Sequence, residues 1–184
     1  HHLDWFVYTS ALPEDHPELK LAKSLGLKIS KRDELTAYLV KILGLKMVAI
    51  AGTHGKTTTT AMLIWVTQKL QLPAAYIVGS TLSFTPSGSY HPNDQYFIYE
   101  ADEYDRNFLH YEPWLSLITF VSYDHPDIYP SEADYHQAFL QFEKQSQSLI
   151  FASPAATPPN LSILSGHPLQ VLNIPDPRFI LAGS

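Results

Sequence analysis

Apolar residues in this chain alternate between short strand-like runs and helical stripes. "WFVYTS", Trp5 to Ser10, is aromatic and β-branched and predicts a strand. Pro17 to Leu25 predicts a short helix closed at Gly26, where a left-handed residue costs least. "LKIS" predicts a second strand. Ser30 with Asp33 then makes a capping-box pattern ahead of the stripe Leu35, Leu39 and Ile42. This β-α-β-α run ends near Gly44 and has the form of the tail of a parallel α/β unit whose beginning lies outside the sequence.

"MVAIAG", Met47 to Gly52, is wholly apolar, as expected of a parallel strand buried on both faces. Met62, Val66 and Leu70 recur four apart beside Leu63 and predict a helix that Leu72-Pro73 ends. Strands are predicted at Ala75–Val78, at "FIYEAD" (Phe97 to Asp102) and at "LSLITFVS" (Leu115 to Ser122). Ser131 caps a predicted helix with the apolar face Tyr135, Ala138, Phe139 and Phe142, and "LIFAS", "LQVLNI" and "FILAGS" read as three more strands. "AATPP", Ala155 to Pro159, reads as a loop. Strands alternating with helices predict an α/β fold with a mostly parallel sheet flanked by helices.

Composition narrows the class. With 184 residues, 45% hydrophobic and 16% charged, the chain is globular and has room for one domain plus part of another. No apolar run is long enough to span a membrane, and no secretory leader is visible. A formal charge of -6 argues against a general grip on nucleic acid. The absence of cysteine excludes disulfides and thiolate metal sites and favours the cytoplasm.

Candidate chemistry centres on "AGTHGKTTTT", Ala51 to Thr60. Gly55-Lys56-Thr57 ends it like a phosphate-binding loop, yet the usual first glycine is replaced by Ile50, and the nearest earlier glycine is Gly52. A buried strand before and an amphipathic helix after supply the context such a loop needs: inward-turned N–H groups and the positive end of a helix. Gly52, Thr53, His54, Gly55, Lys56, Thr57 and Thr58 are the candidate nucleotide-binding residues. Lys56 would place its charge on the β and γ phosphates, and Thr57 would offer a hydroxyl to Mg²⁺. The β-branched run Thr58 to Thr60 is awkward at a helix start, which suggests hydroxyls wanted near an anion.

Carboxylates for such a site belong at the carboxyl ends of neighbouring strands. "YEADEYD" brings Glu100, Asp102, Glu103 and Asp105 to one strand end, with Glu100 the last strand residue. "SYDHPDIY" brings Asp124, His125 and Asp127 to the next. His91, His110 and His136 lack ligand spacing and read as surface residues.

Together, "GTHGKTTTT", "EADEYDRNFLHYEP" and "DHPDIY" resemble the Mur ligase family, whose loop has the short G-T-x-G-K-T form. "VYTSALPEDHPELKLAKSLGLKISKRDEL" is similar to the stretch that closes the family's N-terminal domain, so the resemblance covers about Phe6 to Phe142. It implies residues 1–44 as the end of a Rossmann-like UDP-binding domain, and residues 45–184 as a phosphate-loop central ATPase domain, incomplete at its C-terminal end. It further implies ATP-dependent amide synthesis in peptidoglycan precursor assembly, through an acyl phosphate, with UDP-N-acetylmuramic acid and L-alanine as substrates. Carried over, Lys56, Glu100 and His125 would be catalytic. Thr57 and Glu100 would ligate one Mg²⁺ and His125 would help hold a second, with Asp102, Asp124 and His54 in support.

The family's glycine-rich UDP motif and its C-terminal domain fall outside the sequence. The resemblance therefore implies that the missing domains complete the site and that this segment alone is inactive. Tyr104 is shared with the branch that ligates murein peptides, although "RNFLHYEPW" is shorter than that branch's insertion. A murein peptide ligase, a folate-type glutamate addition and a stand-alone nucleotide-binding module remain alternatives.

Overall fold

The computed structural model describes residues 3–9, 11–151 and 170–171. The chain divides into two compact units between Gly44 and Leu45.

In the first unit, β1 (Trp5–Tyr8) and β2 (Lys28–Lys31) pair in parallel, with Trp5 opposite Lys28 and Tyr8 opposite Lys31. Helix α1 (Pro17–Ser24) lies between them in sequence, and α2 (Arg32–Ile42) follows β2 directly. The predicted cap of α2 shifts by one residue. Glu34 accepts a hydrogen bond from the Lys31 backbone N–H at 2.7 Å, while Ser30 stays in the strand and accepts from the Trp5 indole at 2.9 Å. The predicted stripe is also not the buried one. Leu39 and Ile42 are exposed, and α2 buries Asp33 and Thr36 instead.

The second unit holds a seven-stranded sheet among the described residues, in the order β5-β4-β6-β3-β7-β8-β9. Its strands are β3 (Lys46–Ala51), β4 (Ala74–Ile77), β5 (Gly88–Ser89), β6 (Tyr96–Glu100), β7 (Leu115–Ile118), β8 (Leu149–Phe151) and β9 (Gln170–Val171). All pairings are parallel except β4 with the short edge strand β5, which the sequence pattern did not announce. "LIFAS" and "LQVLNI" contribute β8 and β9. "FILAGS", "AATPP" and His1-His2 lie outside the described residues.

Helices α3 (Lys56–Lys69) and α4 (Glu132–Gln145) flank this sheet. Ile50, Ile64, Tyr76, Val78 and Ile98 form one core cluster, with Leu63 and Leu117 packed against it. Helix α3 thus buries Thr60 and Ile64, whereas Met62, Val66 and Leu70 are exposed. Residues two apart on a helix point about 200° away from each other, so the row chosen from the sequence lies opposite the buried one. Helix α4 buries the predicted face Tyr135, Ala138, Phe139 and Phe142, and the Ser131 hydroxyl caps it by accepting from the Asp134 N–H. Phe108, from the 3₁₀ turn Tyr104–His110, stacks on Phe142 and meets Phe139 edge-on, with ring centroids 4.8 and 5.1 Å apart. Burying each such ring contributes roughly 1.5–3 kcal/mol, which anchors the turn carrying the acidic cluster. No helix among the described residues is long and apolar enough to cross a membrane.

β3 is the central strand, with β6 and β7 on either side. The segments that follow these three strands leave the sheet at one end. That end carries the candidate chemistry.

Candidate active site at the carboxyl ends of β3, β6 and β7

The loop after β3 is tied down before it turns into α3. Gly52 adopts φ 132°, and a Cβ there would run into the Thr119 hydroxyl and lie 2.7 Å from the Phe120 carbonyl oxygen. Only glycine lets the loop pass so close to the chain leaving β7. The Thr53 N–H donates to the Phe120 carbonyl at 2.6 Å. Its hydroxyl donates to the Ser122 carbonyl, accepts from the Ser122 N–H and meets the buried Tyr135 hydroxyl at 2.7 Å. This explains why β7 ends at Ile118 and not at Ser122 as predicted: Phe120 and Ser122 spend backbone groups on Thr53 of the loop. Gly55, at φ 82°, caps α3, and its carbonyl accepts the Thr59 N–H. His54 is exposed and stacks on Phe120, with centroids 6.3 Å apart.

The first turn of α3 then presents two side chains to two different carboxylates. The Thr57 hydroxyl donates to Glu100 Oε1 at 2.6 Å, while Glu100 Oε2 accepts from the Gly79 N–H at 3.1 Å. Lys56 Nζ folds back over its own loop. It donates to the Gly52 carbonyl at 2.6 Å and pairs with Glu103, whose Oε2 lies 2.8 Å away. Thr58 is exposed and borders an apolar groove with Ala61, Met62, Trp65, Val66 and Phe84. Thr60 is fully buried under the helix, so its hydroxyl is not offered to an anion.

Glu103 is the residue the sequence reading undervalued, since it appeared there only as one of four acidic neighbours. Its side chain is 1% exposed. Burial holds its carboxyl above the ordinary range, and the adjacent Lys56 ammonium offsets only part of that rise. Glu103 Oε1 also lies 3.8 Å from His125 Nε2. His125 itself has φ 54°, a left-handed conformation uncommon outside glycine, and its N–H donates to the Asp124 carboxylate at 2.7 Å. Asp102 accepts from the Tyr104 N–H and so shapes the acidic turn.

The structure thus joins Thr57 to Glu100, and Lys56 to Glu103, which also faces His125. Asp127 is exposed, as are His91, which pairs with Asp94, and His110. Among the described residues no group of three or more His, Asp or Glu side chains could hold a metal ion. A hydroxyl and a carboxylate 2.6 Å apart nevertheless suit Mg²⁺, which takes few protein oxygens and completes its shell with phosphates and water.

An open, mostly parallel sheet with a glycine-turned loop feeding a helix N-terminus, and carboxylates on the adjacent strand, defines a phosphate-loop α/β domain. A family model for the Mur ligase middle domain matches residues 50–158, and the chain belongs to the Mur ligase family. It is 42% identical over 142 residues to a UDP-N-acetylmuramate–L-alanine ligase of Salinispora arenicola, covering 77% of this chain and 27% of that protein. Among solved structures, it is similar to the UDP-N-acetylmuramate-alanine ligase of Thermotoga maritima, with a TM-score of 0.73 and 28% identity over 80% of this chain and 35% of that one. It is also similar to the UDP-N-acetylmuramate:L-alanyl-gamma-D-glutamyl-meso-diaminopimelate ligase from Neisseria meningitides, with a TM-score of 0.72 and 25% identity over 82% of this chain and 52% of that one. The chain thus spans about a quarter of the length of the curated relative and a third to a half of the solved ones.

Proposed function

We propose that this chain is the central nucleotide-binding segment of an ATP-dependent ligase that joins L-alanine to the carboxylate of UDP-N-acetylmuramic acid. Residues 1–44 would close a UDP-binding N-terminal domain, and further domains would complete the ATP and amino-acid sites. The reaction belongs to peptidoglycan precursor synthesis in the cytoplasm. The observation that carries this reading is the first turn of α3, where Lys56 and Thr57 each face a different carboxylate at or just beyond the end of β6.

In this mechanism the loop N–H groups and Lys56 hold the β and γ phosphates of ATP. The substrate carboxylate oxygen attacks the γ-phosphorus, the bond to the β-phosphate oxygen breaks, and ADP departs, leaving an acyl phosphate. The alanine amine attacks that carbonyl and phosphate leaves. Phosphoryl transfer asks the protein for little covalent chemistry, so the residues act by positioning and by neutralising charge. Thr57 and Glu100 would hold one Mg²⁺ and His125 would help hold a second; the ions would supply charge neutralisation at the phosphates.

A second reading is favoured by one specific likeness. The Neisseria protein, named for ligating a murein tripeptide, is nearly as similar in fold as the alanine-adding one, and Tyr104 fits that branch. Assays of the full-length ligase with UDP-N-acetylmuramic acid, ATP and either alanine or the tripeptide decide between them. ATP consumption dependent on alanine and abolished by Lys56→Ala is the expected result. Consumption that needs the tripeptide selects the second reading, and turnover that survives Lys56→Ala rejects both.

A further inference from the structure

We infer that Glu103 is a positioning residue for phosphoryl transfer, a role that rests on the ligase reading above. Its buried carboxylate holds the Lys56 ammonium and faces the His125 imidazole, so that both point into one space.

Three observations carry this. The carboxylate is shared: Oε2 lies 2.8 Å and Oε1 3.1 Å from Lys56 Nζ, and Oε1 lies 3.8 Å from His125 Nε2. Its backbone is pinned, because the Glu103 carbonyl accepts both the buried Tyr129 hydroxyl at 2.6 Å and the Arg106 N–H at 3.1 Å. The turn that follows adopts an unfavourable conformation to make this possible. Asp105 and Arg106 both have positive φ, at 52° and 57°, and the Arg106 guanidinium sits 4.9 Å over the Tyr129 ring. Two consecutive left-handed non-glycine residues cost a few kcal/mol, and such strain persists only where surrounding contacts over-determine it.

The chemistry needs such a device. A lysine on a flexible four-carbon stem is a poorly aimed charge, and fixing it beforehand removes that entropy from the transfer step. Glu103 is itself an anion, however, and it competes with phosphate for the same ammonium. Aim and affinity should therefore separate on mutation: losing Glu103 harms turnover without weakening the grip on nucleotide. A residue needed only for the fold would harm both together.

The test is steady-state kinetics with Mg-ATP, and calorimetry with Mg-ADP, on the full-length ligase. For Glu103→Gln, kcat should fall on the order of 10²-fold while KM for ATP and Kd for ADP hold or tighten. Tyr129→Phe, which keeps the carboxylate but releases its backbone, should lower kcat about tenfold with the same split. A Glu103→Gln enzyme with kcat within about threefold of the parent overturns the inference, as does a loss of affinity that matches the loss of rate. Should Glu103→Gln fail to fold, an unchanged kcat in Tyr129→Phe overturns it alone. A parent enzyme inert with alanine and with tripeptide counts against the ligase reading; the ADP comparison then judges Glu103, and weakened binding overturns its role.

Discussion

The Tyr135 hydroxyl lies 2.7 Å from the Thr53 hydroxyl, joining the first turn of α4 to the phosphate loop across 82 positions of sequence. Thr53 also donates to the Ser122 carbonyl, so one threonine links the loop, the segment that follows β7 and the helix. Burial holds the Tyr135 phenol protonated far above the ordinary tyrosine range, which keeps it a neutral hydrogen-bonding partner at any working pH. Tyr135→Phe should cost about 1 kcal/mol, because Thr53 keeps both of its bonds to Ser122. Urea unfolding of this chain measures it. A loss above about 3 kcal/mol would mean that the ring packing had changed as well.

The two loop glycines should respond differently to alanine. At Gly52 a Cβ meets backbone atoms of Phe120 at 2.7 and 2.9 Å, and neither can withdraw without opening the loop. At Gly55 the nearest atom to a new Cβ is 3.7 Å away, so only the positive φ of 82° is penalised. Gly55→Ala should cost about 1–2 kcal/mol and Gly52→Ala distinctly more, with loss of Mg-ADP binding in the full-length ligase. Thermal unfolding of both variants checks the order. Equal costs would show that the Thr119–Phe120 segment yields easily.

Glu100→Gln tests the cation. The amide can still accept from the Gly79 N–H, so the fold should survive, but the charge proposed to hold Mg²⁺ is gone. The Mg²⁺ concentration giving half-maximal turnover in the full-length ligase should rise on the order of tenfold or more. An unchanged Mg²⁺ dependence would remove Glu100 from the ligand set.

Local chemistry made the loop legible from sequence: an apolar strand, two glycines, Lys56 and a helix form a contiguous pattern. The stripe of α4 was legible for a similar reason, since Tyr135, Ala138, Phe139 and Phe142 are the face with the most apolar area to bury. The stripe of α3 was not. Its rotation is set by the loop, which must point Lys56 and Thr57 at β6, and this turns Thr60 and Ile64 toward the sheet and leaves Met62 outside. Glu103 was hidden for a different reason. In sequence it is one carboxylate among four. What sets it apart is burial against Lys56, produced by a turn whose left-handed residues, Asp105 and Arg106, carry no glycine to announce them.

Glu143 should make the stability of this chain fall as pH rises. The side chain is 1% exposed on α4, and its Oε1 has no hydrogen-bond partner among the described residues. Burial alone pushes its carboxyl up to about 8. An unfolded glutamate titrates near about 4.3, so below that pH both states are protonated and there is no penalty. Between the two values the unfolded chain has lost the proton while the folded one keeps it, and stability declines with pH. Above about 8 the loss is complete, with an upper bound on the order of 5 kcal/mol. Glu143→Gln replaces the protonated acid with a neutral group of the same shape. At pH 5 the variant and the parent should unfold at similar urea concentrations. At pH 8.5 the variant should be the more stable, by several kcal/mol at most. Parallel stability curves across that range would show that the parent's Glu143 is ionised in the folded chain and finds compensation that its surroundings do not suggest.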